Sequence, residues 1–159
     1  MNRKTRRARA FLEELKEIDT RIQNAKFDQE YWEAYSLGLS SQSESVMIGG
    51  ELHNVEKVQS TPNPHRMEDA IIASIEKKPA ANIKVEALLK RKEMMLDVIS
   101  KLKTPSYDIL HKIYVQKITL TDYAEQKDRS KSWADSQHGI AIKNLQELLE
   151  RENQDEKNE

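Results

Sequence analysis

The sequence of 159 residues has no cysteine, only four glycines and four prolines, and few aromatic residues (6%). The absence of cysteine excludes disulfides, thiol catalysis and cysteine-ligated metals, and it fits a reducing compartment such as the cytosol. No apolar run approaches the roughly 18 residues that a membrane-spanning helix needs, so we expect no membrane segment. The basic start of the chain is not followed by the apolar stretch of a signal peptide, and we expect none.

The chain is instead rich in charge, with 33% charged and 37% hydrophobic residues. This composition predicts an all-α protein with small helical units, whose core is built mainly from Leu, Ile, Ala and Met.

The net charge of −1 hides an uneven distribution along the chain. Residues 1–10 contain five cationic residues and no acidic one, and residues 151–159 form an acidic tail that we expect to be solvated. The basic start either contacts DNA phosphates or is a solvated tail before a helix. Residues 104–149 carry six basic and six acidic residues, so this segment alone is expected to bind DNA weakly.

Residues 1–103 are predicted to form a long antiparallel helical hairpin. The first helix is predicted from Arg9 to about Tyr35, because apolar residues recur with helical spacing on one stripe: Phe11, Leu15, Ile18, Ile22 and Ala25. The second is predicted from about Arg66 to Leu102, with a kink or break near Pro79. A coiled coil between two chains remains an alternative to the intrachain hairpin.

Residues 36–65 interrupt this periodicity with a cluster of Ser, Gly and Pro, which predicts a flexible linker.

Residues 104–150 are predicted to form a separate helix-turn-helix unit. Pro105 ends the preceding helix, and Thr104 or Ser106 can cap the next one. Thr119 or Thr121 can cap a short helix, after which a tight turn leads to a longer helix capped by Ser130. Small residues at Ala124 and Ala134 would allow the last two helices to approach closely.

The stretch "LTDYAEQKDRSKSWADSQHGIAIKNL" at 120–145 resembles the C-terminal helix-turn-helix of phage late transcriptional regulators (LtrC-like proteins, relatives of the RinA and ArpU groups). It is also similar to the promoter-reading segment of the primary sigma factor. The resemblance extends over nearly the whole chain, although only this C-terminal motif is specific. It implies a sequence-specific DNA-binding regulator in the cytoplasm of a host bacterium, acting as an activator of late genes.

The resemblance also implies which residues meet DNA. The candidate base contacts are Lys131, Ser132, Asp135 and Ser136, and the candidate backbone contacts are Lys127, Arg129, Trp133, Gly139 and Lys143. Asp135 stands where sigma factors usually have Arg, and its carboxylate can accept a hydrogen bond from a cytosine amino group. Trp133 can either pack on the sugar-phosphate backbone or seal the protein core. Gly139, on the exposed face, suggests a close approach of another group.

No catalytic constellation or metal-ligand spacing is present among the four histidines and the acidic residues, so we expect neither an enzyme nor a cofactor. The implied partners are duplex DNA, host RNA polymerase and a second copy of the chain. Two other functions remain open: a terminase small subunit that recognises packaging DNA, and a helical protein-interaction module without a DNA role.

Overall fold

A computed structural model describes residues 3–47 and 65–158, and within these ranges the protein is all-α, as predicted. A 3₁₀ turn, Arg3–Thr5, leads into α1 (Arg6–Met47), and α2 spans Arg66–Ser100. The shorter α3 (Thr104–Leu110) continues into a π-helical turn, His111–Val115. The last helices are α4 (Leu120–Gln126) and α5 (Lys131–Asn158).

Two predicted interruptions of helical structure are wrong, the first of them in part. The predicted linker at 36–65 is helical over 36–47, because the stretch contains no proline and extending an existing helix is easier than nucleating a new one; residues 48–64 lie outside the described part. α2 continues through Pro79, so the predicted break is absent, and Ser74 and Ala81 on either side of it are buried. A kink at Pro79 stays a prediction. The acidic tail at 151–159 forms the end of α5 as far as Asn158, with most of its side chains exposed and Glu152 paired with Lys101.

The chain divides into two compact units, residues 1–21 with 89–159 and residues 22–88. This grouping differs from a division at residue 103, because α1 and α2 each contribute residues to both units. An independently folding 104–150 domain and an antiparallel hairpin stay predictions.

The first unit, residues 1–21 with 89–159, holds most of the buried apolar side chains. Its core is built from every helix of the unit: Ala8, Leu12, Leu15, Ile18, Met95, Ile99, Ile109, Leu110, Tyr114, Tyr123, Ala124, Ala134, Ala141, Ile142, Leu145 and Leu149. α5 is the central element of the C-terminal part, since α3, α4 and the 3₁₀ turn all pack against it. On the surface, Arg91 makes a two-pronged ion pair with Glu14.

The second unit, residues 22–88, buries a smaller set: Ile22, Ala25, Ser74, Ala81 and Val85. Gln29 donates a side-chain hydrogen bond of 2.7 Å to Asn82. Several large apolar side chains remain exposed, including Phe27 (69%), Ile75 (67%) and Ile83 (66%).

Candidate nucleic-acid interface

The segment predicted to read DNA consists of α4, a four-residue turn at 127–130 and α5. Thr119 begins α4, as predicted, by accepting a hydrogen bond from the backbone N–H of Asp122 at 3.1 Å. Ser130 begins α5 in the same way, because its hydroxyl accepts from the backbone N–H of Trp133 at 3.2 Å. The predicted cap of α3 is wrong: Lys103 occupies that position, and Ser106 instead accepts from the side-chain amide of Asn144.

The turn after α4 is closed by a left-handed residue. Asp128 has φ 52°, the N–H of Arg129 donates to the carbonyl of Ala124, and the N–H of Asp128 donates to the carbonyl of Glu125. This is the Schellman pattern, in which glycine is the usual left-handed residue. An aspartate in this conformation carries a steric cost that glycine avoids.

Asp128→Gly is therefore expected to raise the free energy of unfolding by about 1 kcal/mol. Lys117, which follows the π-helical turn, has φ 59° and therefore the same left-handed conformation as Asp128. Lys117→Gly is expected to stabilise similarly, whereas Glu125→Gly, inside α4, should destabilise. Urea unfolding of the three variants tests this, and a loss of stability in Asp128→Gly would contradict the turn geometry.

Two buried contacts fix α4 against α5. The small side chains of Ala124 and Ala134 are 2% and 0% exposed, and α4 packs against α5, as a close approach of the two helices requires. Beside them the rings of Tyr123 and Trp133 stack with their centroids 6.1 Å apart. Trp133 is only half-buried in this stack, so both roles that the sequence leaves open for it stay predictions.

A hydrogen-bonded group links α3 to α4. Asp108 accepts from the hydroxyl of Tyr123 at 3.1 Å and pairs with the ammonium of Lys127 at 3.0 Å. Burial acts to raise the pKa of Asp108, but the hydrogen bonds from Lys127 and Tyr123 together hold it below its ordinary value. Burial, followed by the bond to Asp108, raises the pKa of Tyr123 to about 12. The carboxylate therefore stays ionised and holds α4 in place at neutral pH.

The four residues predicted to contact bases are all exposed at the start of α5: Lys131, Ser132, Asp135 and Ser136. The hydroxyl of Ser136 donates to the backbone carbonyl of Ser132 at 3.0 Å. The structure thus brings these side chains together on the outside of one and a half helical turns.

The residues predicted to contact the DNA backbone differ in their contacts and exposure. Lys127 is engaged with Asp108, and the guanidinium of Arg129 lies 5.8 Å from the centre of the Trp133 ring. Lys143 is exposed on α5, two turns beyond Ser136. At Gly139 an added Cβ would meet no atom of the described chain within 4 Å, so a close approach would have to come from another molecule.

α5 also makes contacts with elements distant in the sequence. The side-chain oxygen of Gln146 accepts from the backbone N–H of Ala8 at 2.8 Å, which anchors the start of α1. Nearby, the hydroxyl of Tyr114 and Nε2 of His138 lie 3.0 Å apart, with their rings stacked. The partners are separated by 138 and 24 positions, and no local pattern indicates such distant pairings.

We expect acid to destabilise the first unit through His138. Burial, and then the positive charge of Arg9, lower the pKa of His138, while Asp135 opposes them. Since the folded state favours neutral histidine, stability is complete above the unfolded pKa of about 6.5 and is lost as pH falls through the lower folded pKa. His138→Gln should remove part of this loss, measured by thermal melting at pH 7.5 and 5.0, whereas His111→Gln should not. Equal acid sensitivity in parent and His138→Gln would contradict the burial of neutral His138.

Within 3–47 and 65–158, no group of three or more histidine or acidic side chains could hold a metal ion. In the same ranges no helix has the length and apolar character to cross a membrane. No protein-family model matches the chain, and comparisons with curated proteins and with solved structures find no similar protein.

Proposed function

We propose that the protein is a sequence-specific DNA-binding transcription regulator that reads duplex DNA with the start of α5. The observation that carries this proposal is the cluster of four exposed polar side chains at 131–136, supported from behind by α4 and the closed turn. An α-helix with its side chains is about 10–12 Å across, which fits the major groove of B-DNA, about 12 Å wide.

The chemistry of the cluster suits base recognition. Lys131 can donate to guanine, the hydroxyls of Ser132 and Ser136 can donate or accept, and Asp135 can accept from a cytosine amino group. Base contacts of this kind specify sequence, whereas phosphate contacts fix position. The exposed cluster therefore supports a reader of sequence, and we propose no enzymatic activity.

The near-neutral charge of residues 104–149 indicates that this segment alone has little affinity for phosphates. Lys127 adds little further charge, because it is paired with Asp108. By the resemblance to phage late regulators, we propose that host RNA polymerase supplies additional affinity at late-gene promoters, in the bacterial cytoplasm.

A second copy of the chain is the other partner we propose. α1 and α2 expose Phe27, Ile75 and Ile83 within 22–88, and a second copy of the chain could remove these apolar side chains from water. Tyr31, Trp32 and Tyr35 form an aromatic cluster on α1 of the same unit, and such residues are enriched at interfaces. A dimer would present two copies of α5 to two half-sites.

Selection from a library of random duplexes tests the proposal. The purified protein is incubated with the library at about 100 mM salt, since affinity depends strongly on ionic strength, and the retained DNA is sequenced. We expect one enriched motif, and a twofold-symmetric motif would indicate a dimer. The absence of any enriched sequence, both with and without bacterial RNA polymerase, would contradict the proposed function.

A further inference from the structure

The start of α1 concentrates positive charge where a helix does not favour it. Arg3, Lys4, Arg6, Arg7 and Arg9 fall within residues 1–10, and the first turn of α1 has no acidic residue. Because the positive end of the helix dipole lies at the N-terminus, cations there are unfavourable. Such a local conflict is expected where function rather than stability determines the residues.

This charge is held against the helix proposed to read DNA. Thr5 and Ala8 are buried, and Gln146 of α5 binds the backbone N–H of Ala8. Arg9 is close enough to His138 for its charge to help lower the pKa of that imidazole. The start of α1 is therefore a docked part of the first unit.

Helical geometry relates this docking point to the candidate base contacts. Asp135, Gly139 and Gln146 are separated by four and seven residues, so they share one stripe of α5. The opposite flank of α5 is covered by α4 and α3, through the Tyr123–Trp133 stack and the Asn144–Ser106 bond. The basic start of α1 therefore lies further along the face of α5 that carries Asp135, away from the face that α4 and α3 cover.

A helix in the major groove has a phosphate backbone on each side. We propose that Arg6 and Arg9 form a phosphate-binding surface that contacts the backbone strand opposite α4. This inference rests on the proposed function and adds a second, sequence-independent contact. The two arginines are three residues apart and both exposed, so they lie on one side of α1. They would supply affinity that the neutral 104–149 segment lacks.

Arg7 provides an internal control. It lies about 200° around α1 from Arg9, in a groove that also contains Glu152, Asp155 and Glu156 of α5. A double variant, Arg7→Gln with Lys157→Gln, removes the same charge as Arg6→Gln with Arg9→Gln, but from the side near this acidic end of α5.

The test is the salt dependence of binding to the motif selected above, or to a mixed-sequence duplex if none is enriched, measured by fluorescence anisotropy. Each lost phosphate contact lowers the slope of log K against log salt by about 0.9, so Arg6→Gln/Arg9→Gln should lower it by about 1.8. With the affinity at about 1 M salt unchanged, the same loss weakens binding about 60-fold at about 100 mM salt. Arg6→Lys/Arg9→Lys should retain the parent slope, and the Arg7 control should change it little.

The outcomes separate the two proposals. Parent-like affinity and slope in Arg6→Gln/Arg9→Gln, with the parent binding DNA, would overturn the phosphate-binding surface alone. A parent that binds neither duplex, with or without bacterial RNA polymerase, would overturn both proposals. The Tm of Arg6→Gln/Arg9→Gln should be no lower than that of the parent, because the substitutions remove unfavourable cations from the start of α1. A loss of binding accompanied by a lower Tm would also count against the phosphate-binding surface.

Discussion

Leu145→Ala is expected to lower the free energy of unfolding by about 3 kcal/mol, which is within the 2–5 kcal/mol typical of buried leucines. Leu145 is 0% exposed on α5, the helix against which α3 and α4 both pack. The truncation removes apolar burial and leaves a cavity that its close-packed neighbours fill only in part. For a chain of this size the Tm should fall by about 10 °C, measured by circular dichroism.

Ile140→Ala is the matched control for this prediction. Ile140 lies on the same helix but is 48% exposed, so its truncation should change stability by less than about 1 kcal/mol. A similar loss of Tm in both variants would contradict the assignment of α5's buried face.

Lys131→Ala combined with Ser132→Ala is expected to abolish enrichment of the selected DNA motif. A good side-chain contact to a base edge contributes about 1–3 kcal/mol of discrimination, so the loss of two should reduce specific affinity roughly 100-fold. Both residues are exposed, so the fold should be unchanged. The measurement is a competition between the motif and unrelated duplex.

Lys143→Ala provides the comparison, because the resemblance makes Lys143 a backbone contact. Its loss should weaken binding to all sequences about equally and leave the preference for the motif intact. If Lys131→Ala/Ser132→Ala also kept the preference, base recognition by the start of α5 would be excluded. Gly139→Ala tests whether DNA comes close to α5 at this position. An added Cβ meets no atom of the described chain within 4 Å, so the substitution should stabilise α5 by up to about 1 kcal/mol. If DNA contacts this position, the same substitution should weaken DNA binding.

The sequence was most informative where structure is determined by neighbouring residues. The cap at Ser130 and the burial of Ala124 and Ala134 follow from local chemistry and spacing, and the sequence predicts all three. For α4 the sequence offers Thr119 or Thr121, and Thr119 is the cap. The break predicted at Pro79 is absent from the structure, because packing on both sides of a proline can outweigh its local cost. The extension of α1 to Met47 has the same origin, since propensity alone does not determine where a helix ends.

The surroundings of the candidate interface could not be predicted in this way. Lys127, a candidate phosphate contact by the resemblance of residues 120–145, forms an ion pair with Asp108 in the structure. The contact of Ala8 with Gln146 places the basic start of α1 against α5. The proposal that Arg6 and Arg9 bind DNA phosphates depends on this contact. Both depend on contacts between residues distant in sequence, and only the fold provides those.

The most direct test of DNA binding by the start of α5 is an NMR titration of the labelled protein with a short duplex at low salt. If the start of α5 reads DNA, we expect the largest changes in amide chemical shift at residues 129–139 of the turn and α5, with further changes at 4–9. Changes confined to 22–47 and 66–88, or no changes at saturating DNA, would contradict it.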